Sequence, residues 1–121
     1  MNRISDEELE SDGTGIALHE GKPFSGESVD YGPNGQILSL STYKNGYEEG
    51  PWLEWYPDGT PKVEGLVAYS KGAVGPWKKW HPNGLIAEER NFDEEGVLVS
   101  ERRWSDAGDL VEEKTYNAPR G

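Results

Sequence analysis

Four glycines divide this chain into near-equal lengths. Gly35, Gly59, Gly84 and Gly108 follow one another at spacings of 24, 25 and 24 residues. An aromatic stands four positions before each: Tyr31, Trp55, Trp80 and Trp104. A second aromatic closes each unit, at Tyr43, Tyr69, Phe92 and Tyr116; Tyr69 arrives two residues late, which marks an insertion or bulge. A period of this length means a repeat array, in which each unit is stable only against its neighbours.

Each unit reads as two strands around a turn. Pro33-Asn34-Gly35, Pro57-Asp58-Gly59 and Pro82-Asn83-Gly84 are turns by mechanism. Proline presets the first dihedral, Asn or Asp tolerates the next, and glycine accepts positive φ. The intervening stretches are too short, and too often broken by Gly and Pro, for stable helices. The expectation is an all-β antiparallel meander: about four hairpin repeats in an elongated, single-layer, twisted sheet. Strands are placed at 14–20, 26–32, 36–44, 50–56, 61–69, 74–81, 85–92, 97–104 and 109–116. The repeat domain spans 14–116, with units at about 26–46, 50–72, 75–96 and 99–117. Residues 1–13 are expected to form a loose acidic tail, with a short helix possible from Asp6 to Leu9. Residues 117–121 are expected to be frayed.

Alternation along strands sorts the aromatics. Trp52 and Tyr56 share a face, opposite Leu53 and Trp55, and Trp77 and His81 likewise oppose Trp80. Aromatic ladders are expected to cross the sheet between repeats.

The unit Gly-x-Trp-x-x-(Trp/Tyr)-x-Pro-Asn-Gly, closed by Tyr43-Lys44-Asn45-Gly46, resembles the MORN repeat (membrane occupation and recognition nexus). It is most similar to the bacterial variant found in the YwqK family of antitoxin-like proteins. Gly21-Lys22-Pro23-Phe24-Ser25-Gly26 resembles the entry to such arrays. The last unit departs from the pattern, with Val99 for the opening Gly and Asp106-Ala107 for Pro-Asn; it is a capping repeat or a surface altered for a partner. The resemblance implies fold, and for function it implies a scaffold, a lipid-associated module or an immunity protein.

Composition narrows that choice. Net charge is -11, and residues 1–60 hold 12 acids against 3 bases. Such a surface repels nucleic acid and anionic membranes and attracts a basic protein. Without cysteine there is no disulfide framework, thiolate zinc site or thiol nucleophile. The acidic start lacks the basic and apolar regions of a signal peptide, so the expected location is cytoplasmic.

No catalytic constellation emerges, and no cofactor is expected. His19 and His81 lack a metal-ligand companion at helical spacing and read as structural. Glu48-Glu49, Glu88-Glu89 and Glu112-Glu113 are neighbours on strands, so their carboxylates point to opposite faces and make poor catalytic pairs. Asp93-Glu94-Glu95 lacks the alternating ligand spacing of a calcium loop. The sequence reading is therefore a non-enzymatic antitoxin or immunity protein that binds a cognate toxin, basic around its active site, through an acidic sheet. A scaffold or membrane-associated module is the alternative. The expected contact residues are Glu48, Glu49, Glu54, Asp93, Glu94 and Glu95 for charge, with Trp52 and Trp77 as apolar anchors.

Overall fold

The structure, a computed structural model, describes residues 2–116. The frayed segment expected at 117–121 lies outside them. Thirteen strands follow in chain order: β1 (Arg3–Ser5), β2 (Glu10–Ser11), β3 (Ala17–His19), β4 (Lys22–Pro23), β5 (Gly26–Tyr31), β6 (Ile37–Lys44), β7 (Tyr47–Glu48), β8 (Gly50–Trp55), β9 (Pro61–Ala68), β10 (Gly72–Trp80), β11 (Ile86–Phe92), β12 (Leu98–Trp104) and β13 (Leu110–Thr115). The main sheet runs β1-β5-β6-β8-β9-β10-β11-β12-β13, with β7 paired to the end of β6. From β5 onward every pairing along the sheet is antiparallel, so the array is the expected meander.

The turns repeat atom for atom. In the second unit the Tyr56 amide donates to Thr60 O (2.8 Å) and the Gly59 amide to Tyr56 O (2.9 Å). The same two bonds recur at Gly32–Gln36, His81–Leu85 and Ser105–Asp109. The four period-marking glycines all have φ between 78° and 92°, where a side chain would be strained. Each repeat aromatic also sits at a register shift, between Asp30 and Tyr31, Glu54 and Trp55, Lys79 and Trp80, and Arg103 and Trp104. The extra residue lies on the following strand, at Leu38, Lys62, Ala87 and Val111, where it bends that strand and strengthens its twist.

Two sequence expectations need correcting. Of the expected loose tail at 1–13, the described part is largely structured. β1 joins β5 in parallel, Ile4 is buried against the sheet, and Asp6–Glu8 form one 3-10 turn rather than an α-helix. A capping box holds that turn: Ser5 Oγ accepts from the Glu7 amide, and Glu8 accepts from the Ser5 amide. Asp6 in turn accepts from the buried Ser28 hydroxyl. The expected strand 14–20 shrinks to β3 and leaves the main sheet, forming a small second sheet in the order β2-β3-β4. That sheet is tied down by Ala17 N to Gly46 O (2.8 Å) and by buried Phe24, whose ring lies 6.1 Å from that of Tyr43.

The continuous aromatic ladders do not form. Among the described residues, tryptophan stacks on tryptophan only at Trp52–Trp77, with centroids 6.5 Å apart. Tyr69 instead meets Tyr47 at 4.5 Å, and Tyr116 is exposed. Neighbouring repeats are linked by side chain to backbone bonds. Tyr56 Oη donates to Trp80 O (2.7 Å), the His81 Nε2 lies 2.9 Å from Trp104 O, and Asn83 Nδ2 donates to Asp106 O (2.7 Å). In the last unit Ser105 and Ala107 hold the corresponding positions and cannot reach onward. Ser105 Oγ accepts from the Ala107 and Asp109 amides of its own turn. The departures from the repeat pattern therefore remove these side chain to backbone bonds from the last unit.

Candidate functional site

A concavity of about 720 Å³ opens on one face of the second and third repeats. Its floor follows from register. Trp52 pairs with Gly65 across β8 and β9, and paired residues in an antiparallel ladder share a face. Trp77 comes from β10 on the same side: a Cβ built on Gly65 would lie 2.2 Å from the Trp77 ring. The glycine thus provides the room in which the two indoles stand side by side, tilted 37° from parallel. Both rings are half-buried. Trp52 Nε1 donates to Glu54 Oε2 (2.8 Å), and Trp77 Nε1 donates to Leu66 O (3.0 Å). Val63, Val67 and Phe92 add apolar wall, and Tyr56 closes one end beneath the Lys62 ammonium, 5.6 Å from its ring centre.

Charge on this face alternates from strand to strand. One row passes Glu54, Val63, Lys79, Glu88, Arg103 and Glu112; the next passes Trp77, Arg90, Glu101 and Lys114. Arg90 Nε lies 2.6 Å from Glu88 Oε1 and 3.8 Å from Glu101, while Lys114 lies 3.2 Å from Glu112. The bond from Lys114 holds the Glu112 carboxyl below the usual carboxylate range. The C-terminal repeats therefore neutralise their own acids, and the net negative charge gathers in residues 1–60.

The eight expected contact residues divide accordingly. Glu48, Trp52, Glu54 and Trp77 meet at the concavity. Glu49 does not: it sits in a separate depression beside Thr42 and Lys44, its amide donating to Thr42 O (2.9 Å). Asp93, Glu94 and Glu95 form the turn between β11 and β12. The Asp93 carboxylate accepts from the Glu95 and Val97 amides, and Glu95 pairs with Lys71 of the preceding repeat. Asp93 and Glu95 thus serve the turn and the repeat-to-repeat contact, and none of the three acids lines the concavity.

Burial pushes the Glu48 carboxyl above its usual range. Burial does the same to the Tyr43 hydroxyl, aided by the negative charges of Glu48 and Asp6. Sequence reasoning missed Gly65, Tyr56 and Phe92 as parts of this site. Gly65 carried a readable signal, since a glycine inside a strand marks close approach by another group. Trp77, Trp80 and His81 all line the concavity, beside a register shift whose extra residue, Ala87, lies on β11. Both histidine rings are engaged, His81 on Trp104 O and His19 edge-on to Phe24 at 5.9 Å. Among the described residues, no three His, Cys, Asp or Glu side chains stand together to hold a metal, and no helix is long and apolar enough to cross a membrane.

A search of curated proteins finds no match. A solved chain in the "Crystal structure of accessory secretory protein 1,2 and 3 in Streptococcus pneumoniae" is 19% identical, with a TM-score of 0.34. The match covers 87% of this chain and 19% of that one, so this chain spans about a fifth of its length. The family model described as "MORN repeat variant" matches residues 25–45, 48–67 and 73–94, which together make just over half of the 121 residues. The second and third of those stretches frame the concavity, and the chain belongs to the MORN repeat variant family.

Proposed function

We propose that this interaction module docks a protein partner on the open face of its second and third repeats, and that the partner is a toxin which the module neutralises. The observation that carries the reading is the Trp52–Trp77 pair. Two half-buried indoles at the centre of an open concavity, ringed by charged side chains, have the anatomy of a binding hot spot. Membership of a repeat family supports an interaction module, and the excess of acid in residues 1–60 supports a basic partner. In this reading the chain is a cytoplasmic binding protein and not an enzyme, and it acts by covering the partner's working surface.

The test is co-expression with the product of the adjacent reading frame. Wild type restores growth and co-purifies with that product. Trp52→Ala and Trp77→Ala each weaken the complex by about 2 kcal/mol or more while retaining a β-type circular dichroism spectrum. A neighbouring product that is harmless alone and does not co-purify overturns the toxin reading. Undiminished binding by the tryptophan variants overturns the face.

A further inference from the structure

The concavity differs from one end to the other. At the end where β7 meets β6, Glu48 faces the space in front of the indoles, with Val67 and Phe92 nearby. Two of the lining cations are engaged elsewhere, Arg90 on Glu88 and Lys62 over Tyr56, and the third, Lys79, stands opposite Glu88 in register. Glu48 is half-buried and, among the described residues, takes part in none of the ion pairs, so it is a partly desolvated carboxylate with no paired counter-charge there. The indole N–H groups are also committed, to Glu54 and to Leu66 O. What Trp52 and Trp77 still offer is their π faces, and what Glu48 offers is a negative charge beside them.

An aromatic face next to a poorly hydrated carboxylate selects a cation that stacks. A guanidinium is planar, weakly hydrated and able to hold a carboxylate with two parallel N–H donors; an ammonium is compact, strongly hydrated and stacks less well. We propose that this end of the concavity binds an arginine side chain from an extended segment of the partner protein, its guanidinium stacked on Trp52 and Trp77 and paired with Glu48. This rests on the reading of the face as a docking surface, and it names what that surface takes. The acidic first half of the chain would steer such a segment toward the site.

The probe is a capped Gly-Gly-Arg-Gly-Gly peptide titrated into the full chain, with lysine and citrulline versions as controls. The readout is the indole N–H resonances of all five tryptophans. Saturable shifts are expected at Trp52 and Trp77. Citrulline keeps the shape without the charge and should bind about tenfold more weakly or worse, with lysine between the two. Glu48→Gln should cost the arginine peptide a similar factor while leaving the rest of the spectrum in place. Equal binding of arginine and citrulline, indifference to Glu48→Gln, or no response at the two indoles would overturn the site. The citrulline comparison uses unaltered protein and so does not depend on any variant folding. A null titration alongside tryptophan-dependent partner capture removes the arginine site and leaves the docking face standing.

Discussion

Gly65 has no side chain because Trp77 occupies the place where one would go. The nearest ring atom lies 2.2 Å from a Cβ built there, well inside any real contact, so Gly65→Ala must move the indole. Such overpacking costs about 1–3 kcal/mol. The expected outcome is a lower melting temperature together with an altered Trp77 indole resonance; an unchanged resonance would mean that the ring does not depend on the glycine. Glu48 gives a second test at this scale. Its carboxyl is raised by burial from an ordinary value of 4.5, so the fold favours the protonated form. That contribution is present below 4.5 and is lost as pH rises through the folded value. Glu48→Gln, which keeps the shape without the charge, should therefore melt slightly higher than wild type at pH 7. The gap should close as pH falls below 4.5. A gap of the opposite sign at neutral pH would show that a cation sustains the charge.

At the scale of strands and turns, the hairpins were legible because their chemistry is local. Pro-Asn-Gly and Pro-Asp-Gly dictate backbone angles whatever lies around them. The register shifts beside the repeat aromatics were not legible, because one extra residue on the following strand, such as Lys62 or Ala87, leaves no mark on composition. β1 escaped notice for a related reason. Three residues with a single apolar side chain, Ile4, resemble an acidic tail until Gly26 and Ser28 provide a strand edge beside them. The candidate site divided the same way. Trp52 and Trp77 followed from strand period, whereas Asp93 and Glu95 looked like free acids although they serve a turn. One link between successive repeats is the residue after the repeat aromatic, Tyr56 or His81, reaching the backbone oxygen of the following aromatic. Tyr56→Phe keeps the ring and deletes the bond to Trp80 O. It should cost about 1 kcal/mol, read by chemical denaturation. No loss would assign repeat coupling to the backbone ladder alone.

Across the whole molecule, apolar burial is unevenly distributed. The buried hydrophobic residues are Ile4, Phe24, Val29, Leu40, Val63 and Val74; beyond Val74 none is fully buried among the described residues. The later repeats expose Leu85, Val97, Leu110 and Val111 instead, with Val111 at 61%. The N-terminal repeats are also the ones covered, by β1, the 3-10 turn and the small second sheet, whereas β12 and β13 are held by their ladders and by ion pairs such as Arg102–Glu113 (2.7 Å), open to water. Exposed pairs of that kind contribute about 0–1 kcal/mol each, less than the burial of one aliphatic side chain. In a quasi-linear array each unit leans only on its neighbours, so such a difference shows as graded opening rather than a single cooperative step. Amide hydrogen exchange under native conditions should find the slowest protons on β5 and β6, intermediate rates on β8 to β10, and the fastest ladder protons on β13. Added salt should steepen the gradient by screening the pairs that brace β11 to β13. Uniform protection from β5 to β13 would mean that the repeats open as one unit, and that burial near the N-terminal end stabilises the whole array.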